Sequence, residues 1–120
     1  MHTVCETSAF QSAAEEAGMT RDEIDRFIEI VAADPEAGDV MKGTGGCRKV
    51  RFGGRGKGKS GGYRIVTFFT GKDLPVFLLT VFGKGEQANL TKAERNALAA
   101  LTKILVSEYR NKIVAVGATR

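Results

Sequence analysis

The chain has 120 residues, 42% hydrophobic and 27% charged, which suits one globular core and excludes a disordered chain. No apolar run approaches the roughly 20 residues of a membrane-spanning helix, and two cysteines with one histidine make neither a disulfide framework nor a structural zinc set. The net charge of +4 divides unevenly: residues 1–40 carry −8 (two basic, ten acidic), residues 41–85 carry +9 (ten basic, one acidic) and residues 86–120 carry +3 (six basic, three acidic), with 12 of the 15 glycines in the basic middle.

Thr3–Cys5 reads as a short strand, and Phe10 through Ala17 as a short helix closed by Gly18. Thr20 with Glu23 three residues on is a capping box. Behind it Ile24, Phe27, Ile28 and Val31 follow helical spacing, and Asp22, Glu23 and Asp25 sit where the helix N-terminus favours anions. Pro35 and Gly38 predict a stop near Asp34. Met41–Gly46 reads as a turn, and Val50 and Phe52 alternate around Arg51 as a short strand. After a glycine-basic loop over Gly53–Gly62, Tyr63–Thr70 is β-rich. Arg64, Val66 and Phe68 fall on one face of it, and Ile65, Thr67 and Phe69 on the other.

A turn at Gly71–Leu74 joins this strand to Pro75–Phe82, which predicts an antiparallel hairpin. Thr91 and Glu94 form a second capping box. Leu98, Leu101, Ile104 and Leu105 then mark an amphipathic helix to about Tyr109. Ile113–Val116 reads as either an edge strand or a tail. The order β, α, α, β, β, β, α is an α+β fold. A single domain over 1–120 is expected, with 106–120 as a C-terminal extension. No basic and then apolar leader opens the chain, so a cytoplasmic location with reduced thiols is expected.

The basic middle carries the chemistry. Gly53 to Ser60 matches the G-x-x-x-x-G-K-[ST] nucleotide loop literally. That loop must open a helix whose N-terminus holds phosphate, whereas Gly61-Gly62 and a β-rich run follow here. Polyanion binding is the better reading: Arg and Lys neutralise phosphates, and glycine lets the backbone approach them. Tyr63 and Phe52 offer either stacking surface or core. A solvated loop without a ligand is the plainer alternative.

Four stretches together resemble the RelE/HigB-like toxins of bacterial type II toxin–antitoxin systems. They are Pro35–Gly38, Gly43–Arg51, Gly58–Val66 and Phe77–Glu86, and the resemblance runs from about Thr3 to Leu105. It implies N-terminal helices and a C-terminal helix packed on a small twisted antiparallel sheet. It also implies an endoribonuclease, or mRNA interferase, that cuts mRNA on the ribosome and needs no cofactor. The implied partner is a cognate antitoxin, often with a helix-turn-helix domain, and operator DNA is bound only through that complex. No membrane partner is implied.

Metal-free RNA cleavage uses the 2′-hydroxyl against the adjacent phosphorus and leaves a 2′,3′-cyclic phosphate and a 5′-hydroxyl. Cations stabilise the charge that builds on the phosphate. By resemblance Arg64 matches the family's strand arginine and clamps the scissile phosphate. Lys57 and Lys59 match its basic loop positions, for RNA binding or proton transfer. Lys84 matches the lysine after the next strand, for phosphate or proton transfer. Arg48, Lys49, Arg51 and Arg55, with Tyr63, are RNA-binding candidates. Glu86 is a base, an orienting partner of Lys84, or a surface pair. Phe82 stands where many relatives have tyrosine, and Gly83 and Gly85 replace the common Ala and Asn. A non-catalytic nucleic-acid-binding or inactive toxin-like protein that still binds an antitoxin is the alternative.

Overall fold

Thr7 and Thr20 each start a helix with a hydroxyl. In the computed structural model, which describes residues 1–53, 62–71, 73–83 and 90–118 with side chains as far as Tyr109, α1 spans Ser8–Ala17 and α2 spans Arg21–Ala33. The Thr7 hydroxyl accepts from the Phe10 N–H at 3.1 Å and donates to the Leu78 carbonyl at 2.7 Å. One side chain therefore caps α1 and ties it to the sheet, and α1 begins two residues before Phe10. Gly18, at φ 80°, closes it. At α2 the Glu23 N–H donates to the Thr20 hydroxyl at 3.1 Å, and the Thr20 N–H donates to the Glu23 carboxylate at 2.9 Å. The capping box is complete, and α2 ends at a cap on Asp34 as Pro35 requires.

Five strands form one sheet: β1 Val4–Glu6, β2 Asp39–Val40, β3 Cys47–Phe52, β4 Tyr63–Phe68 and β5 Val76–Phe82. Their order is β1-β5-β4-β3-β2. β2, β3, β4 and β5 pair antiparallel, whereas β1 joins the edge parallel to β5. The expected twisted antiparallel sheet is present in β2–β5, and β1 adds a parallel strand at its edge. β1 and β5 are far apart in the chain, so no hairpin turn forces them to pair antiparallel. β2 is a second difference, since the expected turn is preceded by a two-residue strand that continues the sheet beyond β3.

The alternation predicted for β4 holds. Ile65 packs with Phe10, Phe27, Val31, Val50 and Leu78 beneath α1 and α2, while Val66 and Phe68 pack with Cys47, Phe77 and Leu79 on the other side. That second side is covered by α3, Lys92–Ala118, through Leu98, Leu101, Leu105 and Tyr109. The helix does not stop near Tyr109. Neither an edge strand nor a tail forms at residues 113–116, because a helix already nucleated gains a hydrogen bond for each residue it adds. The sheet is thus a middle layer between two helical layers. In β5 the partners step from Thr80 to Leu78 across Val66 and Thr67, so Leu79 is the extra residue of a bulge. The bulge keeps both Leu79 and Val81 buried, on opposite sides of the sheet.

Candidate nucleic-acid interface

β3 reads Cys-Arg-Lys-Val-Arg-Phe, and alternation divides its three cations between the two faces. Cys47 stands opposite Phe68, Lys49 opposite Val66 and Arg51 opposite Arg64. Arg64 in turn stands opposite Phe82 on β5. Lys49, Arg51 and Arg64 therefore share the α3 face of the sheet. The helix covers the row Cys47–Phe68–Phe77, and the row Arg51–Arg64–Phe82 lies two side-chain steps along the strands from it. Arg51 is exposed, and Arg64, Lys49 and Phe82 are half-buried.

Two arginines directly opposite in neighbouring strands repel, a configuration that costs stability on the order of 0.5 kcal/mol. A phosphate between the two guanidiniums would remove the repulsion, since each guanidinium offers a fork of donors that fits phosphate oxygens. The end of the sheet there is tightly closed. Phe52 pairs with Tyr63, and at Gly62 a Cβ would overlap the Phe52 carbonyl oxygen. The chain leaves β3 at Gly53, returns at Gly62 and leaves β5 at Gly83, all at this end.

Other candidates lie elsewhere. Arg48 points to the α2 face, where it donates to the Glu36 carbonyl at 3.1 Å and stands 3.7 Å from the Glu36 carboxylate. It clamps the turn after α2 and does not join the arginine pair. Tyr63 is 4% exposed, and its hydroxyl donates to the Glu23 carboxylate at 3.3 Å. Burial first, and then the Glu23 charge, raises its phenol above the usual tyrosine range. Phe52 packs on Phe27 with ring centroids 5.6 Å apart, and the Arg26 guanidinium lies over its ring. The RNA-binding role expected of Tyr63 is corrected, and of the two alternatives for Phe52 the core is the one found: alternation turns both rings into the core under α2. Arg55, Lys57, Lys59, Lys84 and Glu86 lie outside the described residues. Among the described residues no three His, Cys, Asp or Glu side chains gather as a metal site, and no helix is long and apolar enough to cross a membrane.

Residues 3–120 match the family described as the RelE toxin of the RelE / RelB toxin-antitoxin system. The chain belongs to the RelE toxin family. Its fold is also similar to that of E. coli toxin RelE, solved in the free state as an arginine double mutant, with a TM-score of 0.54 and 21% identity over 87% of this chain and 98% of that one. This RelE-family chain keeps the architecture of N-terminal helices on a twisted, largely antiparallel sheet.

The Phe82 singled out in the sequence falls on this row. Phe82 stands in register with Arg64 and presents a ring without a hydroxyl. Two further cations, Lys42 and Arg95, approach the same face and did not stand out in the sequence. Arg95, on the first turn of α3, donates to the Lys42 carbonyl and to the Leu90 carbonyl, the latter at 3.4 Å. Lys42 was counted in the basic middle without being singled out, and the signal for Arg95 was the Thr91–Glu94 capping box, which fixes where α3 begins.

Proposed function

We propose that this chain is the toxin of a type II toxin–antitoxin pair, a metal-independent endoribonuclease that cuts mRNA on the ribosome. The observation that carries this reading is the Arg51–Arg64 pair on the α3 side of the sheet, beyond the row that the helix covers, in a chain of the RelE family. Arg64 grips the non-bridging oxygens of the scissile phosphate and stabilises the charge that builds as the 2′-hydroxyl attacks. Arg51 and Lys49 hold the backbone beside it. Lys57, Lys59 and Lys84 belong to segments joined to the same end of the sheet, with Arg55 as a further RNA contact. One of these lysines moves the proton that Phe82 cannot, which a lysine does best where its ammonium is acidified. The products are a 2′,3′-cyclic phosphate and a 5′-hydroxyl. The whole chain acts as one toxin domain in the cytoplasm. Its partner is a cognate antitoxin, helix-turn-helix in type, through which the pair reaches operator DNA.

Phe82 beside Arg64 favours a second reading, an RNA-binding toxin without cleavage. Incubation of the purified protein with programmed ribosomes separates the two. Cleaved mRNA with 5′-hydroxyl ends is the expected product, and tight ribosome binding with intact mRNA would establish the second reading.

A further inference from the structure

The face that carries Lys49, Arg51 and Arg64 continues into a groove whose other cations, Lys42 and Arg95, the proposed chemistry does not use. It lies between the β2 edge, the turn after β2 and the first turn of α3, and has a volume of about 290 Å³. Lys42, Lys49 and Arg95 line it with Asp39, Val40 and Leu90, so three cations face one carboxylate. Asp39 stands directly opposite Lys49. Val40, 58% exposed, and Leu90 supply apolar wall beside the charges.

The cations of this groove are set on a firm turn. The Thr44 hydroxyl donates to the Met41 carbonyl at 2.6 Å and accepts from the Cys47 N–H at 3.1 Å, all of it buried. Gly45 has φ 78° and lies against α3, where a Cβ would come 2.6 Å from the Thr102 hydroxyl. Only glycine fits there, so the turn docks on the helix in one way. Arg95 then closes the arrangement by donating to the Lys42 carbonyl. A rigid turn lowers the ordering cost of binding.

Lys49 belongs both to the groove and to the arginine row. Two residues of strand separate it from Arg51, about 6.7 Å, which is close to the step between successive phosphates of an extended single strand. We propose that the groove is a second RNA-backbone subsite: Lys42 and Arg95, bridged by Lys49, hold phosphodiesters of the substrate strand to one side of the scissile phosphate. This rests on the proposed endoribonuclease function and gives that site a direction, from the arginine pair toward the N-terminus of α3.

The test uses the full chain and a short labelled single-stranded RNA carrying 2′-O-methyl groups, which cannot be cleaved. Lys42→Glu should weaken binding about three- to tenfold and flatten the dependence of log K on log salt by about 0.7 for each phosphate that is no longer neutralised. Lys42→Ala should do so less. Lys103→Glu, the same charge change at an exposed position of α3 outside the groove, should leave both unchanged. On programmed ribosomes Lys42→Glu should raise KM and leave kcat nearly as it was. If Lys42→Glu binds the free RNA like Lys103→Glu, the subsite does not exist. A loss seen only in affinity for empty ribosomes would also overturn it, and would assign Lys42 to ribosomal RNA. The two readings fail separately: intact mRNA on ribosomes defeats the cleavage reading, while the free-RNA titration judges the groove by itself.

Discussion

Arg64 and Arg51 owe their position to strand alternation, and their opposition has consequences in two directions. Replacing Arg51 by Thr removes the repulsion and adds a strand-favouring side chain. Urea denaturation should show a gain on the order of 0.5 kcal/mol, while RNA affinity falls. A loss of stability would mean that Arg51 has a structural role. Cys47 lies fully inside, and burial pushes its thiol up from 9.0 to about 11. In the unfolded chain the thiol ionises near its ordinary value, whereas the folded protein holds the proton. The stability tied to this thiol is therefore complete below pH 9 and is lost as pH rises toward 11. The raised phenols of Tyr63 and Tyr109 act in the same direction. A denaturation midpoint that falls across this window is the expected observation. Iodoacetamide should modify half-buried Cys5 first and reach Cys47 only on unfolding. Equal rates in the native protein would contradict the burial.

At the scale of elements, two helix starts and one loop junction carry most of the local information. Thr20→Ala removes the hydroxyl that accepts from Glu23 and should cost about 1 kcal/mol in a chemical melt. Gly62→Ala forces a methyl onto the Phe52 carbonyl and should cost about 1–3 kcal/mol, as overpacking does. A neutral outcome at Gly62 would mean that β3 and β4 do not close there as described. Signals of this kind were readable in the sequence because they are local: a capping box spans four residues, and the faces of β4 follow from its own alternation. Arg51 was set between Val50 and Phe52 on the same grounds, whereas the strand reaches back past Lys49 to Cys47. Features that depend on a partner were not. The Leu79 bulge exists only relative to β4, and β2 exists only because Asp39 and Val40 meet Lys49 and Arg48. Tyr63 looked equally suited to a surface or a core until its face was set against α2. The groove at Lys42 and Arg95 joins residues far apart in the chain, and nothing in the spacing of either announces the other.

At the scale of the molecule, the sheet separates opposite charges. Eight of the ten acidic groups of residues 1–40 precede Pro35, mostly on or beside α1 and α2, on one side of the sheet. Lys42, Lys49, Arg51, Arg64 and Arg95 gather on the other side or at its edge. A polyanion approaching such a molecule is steered to one face, and its affinity must fall as salt rises. Of the basic groups of residues 41–85, Lys42, Lys49, Arg51 and Arg64 thus lie along this face or at its edge, while Arg48 turns to the other. The most direct test of the role of Arg64 is to induce the wild-type chain and its Arg64→Ala variant in bacterial cells without antitoxin and map the 5′ ends of cellular mRNA. Wild type should arrest growth and produce new 5′-hydroxyl ends within coding sequences, and Arg64→Ala should remove both while folding normally. Undiminished cleavage by Arg64→Ala, or arrest by wild type with intact mRNA, would contradict the assignment of Arg64 to the scissile phosphate.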